Sequence, residues 1–533
     1  MSTRKIFGAT PVQLPNRSGF DLSHENMLTL KCGQLVPVMT DLLIPGDRVS
    51  VGSAFEIQLP PMATDFYGRV RFKMEAFFVP CRLLYGGWQK FMTSPTGNNA
   101  PSSISVGSTL PFCVVPAENA SILARASLAD YLGYKGTINT RQRINNILRF
   151  MAYHKIYDDW YRDSRIQKPV FDEVVPANTS AGAMSVANLP YRGVNGDSFT
   201  YGTATKFADG VDLFSLRQRN WARDYFTNAT PLPQAGVGAS LSFDVANDSG
   251  SFTIASLRAA NSLQQWLERN NIAGNRYADQ IKAHFGVMPS DAVTQRAIYL
   301  GSSSSLIYNH SVYQTNNAGD VVGDGSPNPF TSVGSKYSAP IGSDKSSLVG
   351  DFSVTEFGYL MVIGSIVPDA VYATGVNRDF FRLQIGDFAF PLLQGVGDQP
   401  IYKAELANVG VDGNTMDAME TFGYTQRFAE YKFMEDEVHG GLCDGQSLSA
   451  FALKRSFGTL PNTALGASFL EIPVTYLDDV SASASSLPST YGAWADIFFQ
   501  YRKTSVLSAY TIPTLGDPHN THIDTVPSGG RRL

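Results

Sequence analysis

Strict alternation between Val70 and Phe78 constrains the fold of this chain more than any other feature of the sequence. The apolar positions are Val70, Phe72, Met74, Ala76 and Phe78, and the charged positions between them are Arg71, Lys73 and Glu75. A period of two is typical of an antiparallel strand with one buried face. Pro80 has no N–H to donate and ends the hydrogen-bond ladder. The stretch predicts a long strand of a β-sandwich that runs into an aromatic plug. The predicted core residues here are Val70, Phe72, Met74, Phe78 and Trp88.

Composition supports a strand-rich protein with many turns. The 533 residues include 47 Gly and 29 Pro, 12% are aromatic and only 17% are charged. Cores of protein–protein interfaces are depleted in charged residues and enriched in aromatic ones. We therefore expect much of the surface to be covered by other subunits, although a large monomeric β enzyme would share this composition.

The net charge limits what the chain can do with nucleic acid. It is −5, from 42 Lys and Arg against 47 Asp and Glu. Neutralising phosphates supplies most of non-specific nucleic-acid affinity, so a protein that wraps DNA unaided should be strongly basic. If this chain encloses nucleic acid, a separate basic partner or a local basic patch must supply the positive charge.

Cysteine spacing and apolar runs bear on compartment. The four cysteines show no C-x-x-C spacing, which argues against zinc and thioredoxin-like sites and favours isolated thiols in a reducing compartment. The N-terminus has no apolar run of signal-peptide length, and no stretch reaches 18 apolar residues. We expect no membrane span and synthesis in a cytoplasm.

Periodicity divides the chain into five parts. They are an N-terminal arm (1–30), the first sandwich strands (31–93), large insertions (94–350), the remaining strands (351–512) and a tail (513–533). The insertions are predicted to hold helices at about 140–163, 213–226 and 256–271, and exposed loops at 170–212 and 301–350. Trp266, on the apolar stripe of the third helix, is predicted to be a core residue. The aromatic segment Trp494–Tyr501 favours a helix.

Catalytic and metal-binding motifs are weak. His519 and His522, with Asp517 and Asp524, form the most metal-like group, but no third ligand is placed beside the two histidines. No Walker A, H-E-x-x-H, G-x-G-x-x-G or G-x-S-x-G motif occurs. We predict no metal, no cofactor and no enzymatic activity, while noting that carboxylate pairs can assemble from distant positions.

Basic residues form two groups that are candidates to face DNA. The helix group, on the first predicted helix and its flank, consists of Arg141, Arg143, Arg149, Arg162, Arg165 and Lys168, and its first three members are the candidates to face DNA. Four other candidates lie near the termini: Arg4, Lys5, Arg531 and Arg532. The alternative interpretation of the helix group is a solvated or salt-bridged face, because Asp158, Asp159 and Asp163 are nearby.

A series of blocks, in order along most of the chain, carries a family resemblance. They include NRSGFDLSH (16–24), LLIPGD (42–47), FKMEAFFVP (72–80), WYRD (160–163), WARDYFTN (221–228), PLPQ (231–234), LER (267–269), RY (276–277), HFGV (284–287), DA (291–292), QR (295–296), YLG (299–301), FGY (357–359) and FGYTQRFAEY (422–431). The number and order of these blocks make the chain similar to the major capsid proteins of microviruses, the small icosahedral single-stranded DNA phages, in the gokushovirus-like branch.

The resemblance implies an eight-stranded antiparallel jelly roll with long, partly helical insertions between strands. It also implies a T=1 icosahedral shell of sixty copies around circular single-stranded DNA, assembled in a bacterial cytoplasm. The implied partners are a small basic internal DNA-binding protein, minor (pilot) and scaffolding proteins, and a host surface receptor. Family members carry a surface insertion at the three-fold axis. Here the corresponding gap, 237–253, is short, so the protrusion is either reduced or moved to 170–212 or 301–350.

Two alternatives belong to other classes of protein. One is a carbohydrate-active β-sandwich enzyme with two carboxylates in a cleft, and the other is a sugar-binding phage tail or adhesin protein. The lack of a signal peptide argues against a secreted enzyme, and the predicted helices argue against a fibrous adhesin.

Overall fold

Two antiparallel sheets face each other across a core in a computed structural model of the chain, and the strand that begins at Val70 lies inside one of them. The structure describes residues 17–59, 67–93, 110–135, 140–172, 185–191, 198–233, 254–273, 276–307, 311–314, 335–338, 341–394, 397–407, 419–457, 464–477 and 492–507.

The strands, in chain order, are β1 (Ser18–Asp21), β2 (His24–Leu30), β3 (Val36–Leu43), β4 (Arg48–Gln58), β5 (Val70–Pro80), β6 (Phe112–Val115), β7 (Gln142–Ile144), β8 (Ser198–Thr200), β9 (Ile298–Ile307), β10 (Ser311–Gln314), β11 (Ser335–Ser338), β12 (Ile341–Ser353), β13 (Gly358–Pro368), β14 (Asp398–Tyr402), β15 (Thr421–Gln426) and β16 (Ala493–Ser505). The helices are α1 (Trp88–Thr93), α2 (Leu128–Tyr131), α3 (Leu148–Ile156), α4 (Ile254–Ala273), α5 (Tyr277–Phe285) and α6 (Ala467–Leu470).

Strand order gives the sandwich the winding of a jelly roll. One sheet has the order β2-β16-β4-β12, with β1 also paired to β16, and the other has the order β3-β13-β5-β9. Within the two sheets, successive strands from β2 onward cross from one sheet to the other, except that β5 and β9 pair side by side across the large insertion. Such double-sheet windings are typical of viral capsid domains, among others. The predicted mainly β, antiparallel sandwich is confirmed.

The first core lies between the sheets, and β5 supplies much of it. Phe72 and Met74 are fully buried there, with Phe55 of β4 edge-on to the Phe72 ring at a centroid distance of 4.9 Å. Val70 and Phe78 are buried in the same cluster. Alternation along β5 therefore sets which face of the strand meets the opposite sheet.

A second core covers the outer face of the β3-β13-β5-β9 sheet. Met361 and Ile363 of β13 pack there against α3, whose Met151 and Tyr153 are also fully buried. Trp88 is half-buried and packs against this second cluster rather than the first. We call this sheet the covered sheet and the sheet of β1, β2, β16, β4 and β12 the open sheet.

Two of the three predicted helices differ from the structure. The segment 140–163 begins as β7, continues as α3 and ends in a π turn at Tyr157–Tyr161. The predicted helix at 213–226 is wrong: this segment is irregular, because its apolar residues enter different cores. Phe214 packs in the second core, Trp221 in the first, and Tyr225 in a third cluster. The third predicted helix is present as α4.

The two predicted exposed loops are also wrong where the structure describes them. Within 170–212, Val186, Leu189 and Phe207 are buried in the second core. Within 301–350, β9 and β12 are strands of the two sheets. Glycine suits this edge of the covered sheet, since a side chain at Gly301 would collide with the backbone carbonyl of Leu348. The glycine content that is typical of loops therefore reflects, at Gly301, the close approach of β9 to β12.

Three further expectations need correction. The arm predicted at 1–30 contributes β1 and β2 to the open sheet, and the Trp494–Tyr501 segment is part of β16 rather than a helix. Trp266 is 51% exposed instead of buried in a core. Its indole stacks on the His284 ring of α5 at a centroid distance of 5.8 Å, so the apolar stripe of α4 remains partly uncovered in the single chain.

Candidate assembly surfaces and an arginine-lined cleft

The α4–α5 hairpin and the turn after it carry a large exposed apolar surface. Its exposed residues are Leu263, Trp266, Tyr277, Phe285, Val287, Met288 and Val293, and Phe285 is 77% exposed. Single exposed apolar residues are ordinary, but seven of them on one hairpin and its following turn indicate an interaction site. We call these seven residues the hairpin surface.

A second apolar surface follows the segment 378–394. Its exposed residues are Phe380, Leu383, Ile385, Phe388, Phe390 and Leu392, joined by Tyr431, Phe433 and Met434. The segment is held in place, because Arg427 donates to the Gly386 carbonyl at 2.9 Å and Arg382 lies 3.6 Å from the Glu430 carboxylate. We call it the rim surface. It is a fixed apolar surface of the folded chain.

The outer face of the open sheet is uncovered and acidic among the side chains that the structure describes. In β16 the residues alternate between buried and exposed from Ala493 to Arg502. The exposed apolar side chains of this face are Met27, Trp494 and Phe498. Its charged side chains are Asp21, Glu25, Glu56, Asp351 and Asp496 against Arg48 and Arg502. A hydrogen bond with Asp496 and the charge of that neighbour raise the pKa of Glu25, so two carboxylates crowd this face.

The predicted DNA-facing arginines separate into different environments. Arg141 and Arg143 are exposed, two residues apart, and Arg143 stacks 4.0 Å above the Phe112 ring. Arg149 is instead used inside the fold, where it donates to the Leu132 carbonyl at 3.0 Å. Arg4, Lys5, Arg531 and Arg532 lie outside the described residues, as do His519 and His522.

The charged residues around the end of α3 form mostly buried ion pairs. Arg162 lies 2.6 Å from Asp158, Arg165 lies 2.8 Å from Asp163, and both arginines are at most one-tenth exposed. Burial raises the pKa of Asp163, but hydrogen bonds and charge from Arg165 outweigh it and the pKa is lowered. The salt-bridged interpretation of this region applies to these arginines.

On β5, Glu75 forms the pair that joins the sandwich to the insertion. Its carboxylate accepts from Arg219 at 2.6 Å and from the Tyr161 hydroxyl at 2.5 Å. Burial works to raise the pKa of Glu75, but Arg219 and the hydrogen bonds prevail and the pKa is lowered. The carboxylate is therefore held ionised between the covered sheet and the residues packed on it.

Close to this pair lies a polar cleft of about 220 Å³. Four arginines and one carboxylate are among its described lining residues, which are Trp160, Tyr161, Arg162, Asp163, Arg219, Asn220, Trp221, Arg223, Thr227, Arg276 and Leu470. Sequence reasoning missed the cleft, because its walls come from segments far apart in the chain. The blocks WYRD (160–163), WARDYFTN (221–228) and RY (276–277) supply most of the lining. The enzyme alternative needs two carboxylates in a cleft, and this cleft has the opposite charge.

The remaining features of the described residues concern metal-binding groups, reactive thiols and membrane-spanning helices. Within the described residues, no group of three or more His, Cys, Asp or Glu side chains is arranged to hold a metal ion. Burial raises the pKa of the Cys81 and Cys113 thiols to about 12, so both remain protonated near neutral pH. No helix among the described residues is long and apolar enough to cross a membrane.

Comparison with known proteins gives a consistent result across the chain. Residues 10–247 and 239–515 match a family model described as capsid protein (F protein). The capsid protein VP1 of Chlamydia phage 1 is 25% identical, over 96% of this chain and 97% of that protein. The VP1 capsid proteins of Bdellovibrio phage phiMH2K (26% identical, 95% of this chain and 97% of that protein) and Spiroplasma virus 4 (24% identical, 94% and 95%) are similar over nearly the same extent.

Proposed function

The chain belongs to the phage capsid protein (F protein) family, and from this premise we propose that its copies close into a T=1 icosahedral shell around circular single-stranded DNA. It is a structural component of the virion. The observation that carries the proposal is the family match over 10–515, on a chain whose two sheets have jelly-roll order. A closed shell needs each subunit to present complementary surfaces to its neighbours.

The hairpin surface and the rim surface are the proposed contacts between copies. Both expose large apolar side chains, such as Phe285 (77%) and Leu392 (91%), on segments that the fold holds in place. Covering apolar area contributes roughly 25 cal/mol per Å², so two such surfaces can drive association once neighbours cover them. Trp266, which does not belong to a core of the single chain, would be buried in such a contact.

The acidic face of the open sheet suits a basic partner better than it suits DNA. Carboxylates outnumber guanidinium groups among its described side chains. The negative charge of these carboxylates repels the negatively charged phosphates of DNA. Met27, Trp494 and Phe498 add apolar area between the carboxylates. We assign this face to the small basic internal protein that the net charge of −5 calls for.

Direct contact with DNA is assigned to exposed arginines away from that face. Arg143 lies in β7, Arg141 comes directly before this strand, and both are exposed. Arg4, Lys5, Arg531 and Arg532 are proposed for the same role. Minor (pilot) and scaffolding proteins and a host receptor complete the proposed partners, without an assigned surface.

Substitutions on the two apolar surfaces test the proposal. We would introduce Phe285→Asp and Leu392→Asp separately, and measure particle yield by sedimentation velocity when the chain is expressed with the proteins of its native virion. Both variants should fold, since the side chains are exposed, and both should lose fast-sedimenting particles because a charge is then buried between copies.

The control is Leu232→Asp, at a residue that is 58% exposed and belongs to neither surface. It should assemble as the wild type does. Normal particle yield from both Phe285→Asp and Leu392→Asp would remove these surfaces from the proposal, and the absence of particles from the wild-type chain under the same conditions would contradict the shell itself.

A further inference from the structure

The arginine-lined cleft is built to hold an anion, and we propose that it binds a phosphate group, either free or within a nucleic-acid backbone. Four guanidinium groups, from Arg162, Arg219, Arg223 and Arg276, line a space of about 220 Å³. Guanidinium groups match phosphate oxygens with paired N–H donors. The chemistry of the site does not depend on the capsid role.

Two of the four arginines are already neutralised. Arg219 pairs with Glu75 at 2.6 Å, and Arg162 pairs with Asp158 at 2.6 Å. These pairs fix the walls of the cleft but leave little charge to attract a ligand. The excess positive charge must come from the other two arginines.

Arg276 supplies the partly buried share of that excess. Its guanidinium donates to the backbone carbonyls of Asp158 and Arg162. Among the described residues, no carboxylate lies within ion-pair distance of it. Burial, together with the positive charge of Arg162, lowers the pKa of the Arg276 guanidinium, although the carboxylates of Asp158, Asp159 and Asp279 act in the opposite direction.

Arg223 supplies the exposed part of the excess. Its side chain is 60% exposed, so the cleft reaches solvent at this residue. The nearest described carboxylate, Asp163, is 3.9 Å away and is already engaged by Arg165 through contacts of 2.8 Å and 3.1 Å. Arg223 is therefore free to turn toward a ligand at the mouth.

The aromatic residues of the cleft favour a phosphate over a nucleobase as the bound group. Arg455 lies 4.7 Å above the Trp221 ring and Arg296 lies 4.2 Å above the Trp160 ring, so both indoles already stack on cations. Trp221 is only 5% exposed, and its buried indole N–H has no hydrogen-bond partner among the described residues. The two indoles therefore offer little free ring surface on which a nucleobase could stack.

Calorimetric titration of inorganic phosphate into the purified full-length chain tests the site. The test variant is Arg223→Gln, and the control is Arg125→Gln, which removes a 68% exposed arginine paired with Asp130 outside the cleft. We expect Arg223→Gln to weaken phosphate binding about tenfold, because losing one hydrogen bond to a charged group lowers affinity by about this factor. We expect Arg125→Gln to leave phosphate binding unchanged. Equal melting temperatures of the three proteins establish that the fold is intact.

Competition with a short oligodeoxythymidylate distinguishes the two sources of phosphate. Displacement of inorganic phosphate by the oligonucleotide identifies a backbone phosphodiester as the ligand, and lack of displacement identifies free phosphate. Either result supports the site. The proposal is overturned if the wild-type chain binds no phosphate, if Arg223→Gln binds as the wild type does, or if both substitutions weaken binding equally. None of these results bears on whether the chain forms a shell.

Discussion

The covered and open sheets contain strands of similar length in different surroundings. All eleven residues of β13, in the covered sheet, are buried, and the strand is an almost unbroken apolar run. In β16, in the open sheet, buried and exposed residues alternate from Ala493 to Arg502. A sheet with both faces covered loses its alternation, and a sheet with one wet face keeps it. The insertions have covered one sheet, while the outer face of the other is uncovered among the described residues.

The two sheets should differ most in how much stability is lost when a charged residue is introduced on the outer face of each. Ile363→Asp puts a carboxylate into the second core, where desolvation and lost packing should cost more than about 4 kcal/mol. That is a large part of the stability of an ordinary domain. Soluble, folded chain should therefore disappear, as measured by yield and circular dichroism.

Phe498→Asp is the matched substitution on the open sheet. Phe498 is 48% exposed, so the new carboxylate stays in water and the chain should fold. The comparison between the sheets fails if Ile363→Asp folds as well as Phe498→Asp does.

A second test removes the ion pair beneath the covered face. Glu75→Gln leaves the Arg219 guanidinium buried without its carboxylate, which should cost about 3 kcal/mol in chemical unfolding of the unassembled chain. Replacing both residues, as Glu75→Met with Arg219→Met, should recover part of the loss, because no unpaired charge remains. A double variant less stable than Glu75→Gln alone would contradict this account.

The contribution of Glu75 to the stability of the folded chain should decrease at low pH. Its pKa is lowered in the folded chain from an ordinary value of 4.5, so its contribution is present above pH 4.5 and lost as pH falls through the folded pKa. The difference in melting temperature between wild type and Glu75→Gln should therefore shrink as pH falls below 4.5. A difference that stays constant with pH would assign the effect to packing.

Glycines at the edges of the two sheets give a smaller contrast. Gly301→Ala in β9 places a methyl group against the Leu348 carbonyl and should cost about 1–3 kcal/mol, as overpacking does. Gly19→Ala in β1 meets nothing within 4 Å and should leave the melting temperature nearly unchanged. Equal effects at the two positions would show that β9 and β12 do not approach as closely as described.

The smallest expected effect on stability is that of Glu25, on the outer face of the open sheet. Its pH dependence should be opposite to that of Glu75. The pKa of Glu25 is raised above 4.5, so folding favours its protonated form and stability falls as pH rises through that range. Glu25→Gln removes this penalty and should melt slightly higher than the wild type at pH 7, with no difference at pH 3. A lower melting temperature at pH 7 would contradict crowding with Asp496.

Local patterns predicted the strands whose surroundings match their own alternation. β5 was predictable because Phe72 and Met74 face one core while Arg71 and Lys73 lie between them. The same alternation occurs in β16, from Trp494 to Tyr501, and is typical of a strand. The aromatic residues of this segment favoured a helix instead, and that prediction is wrong.

The failures occur where burial comes from elsewhere in the chain. The serines of β9 pair with β5 and need no apolar residues of their own to form a strand. The segment 213–226 is apolar enough for a helix, yet Phe214, Trp221 and Tyr225 enter three clusters that a single helical face could not reach.

The candidate sites depend even more on distant contacts. Sequence placed Arg141, Arg143 and Arg149 together, whereas the structure uses Arg149 to hold α2 and leaves the other two exposed. Arg223 and Arg276 line the same cleft although more than fifty residues separate them in the chain. Trp266 illustrates the complementary limit, because an apolar helical stripe predicts burial without showing whether the same chain or a neighbouring copy covers it.

Electron cryomicroscopy of native particles, at a resolution that places each subunit, tests the central claim most directly. The account predicts a closed T=1 shell in which the hairpin and rim surfaces are buried between copies, while the covered sheet is covered by its own insertion. Native material that contains only isolated chains, or a shell whose contacts leave Phe285 and Leu392 in solvent, would contradict it.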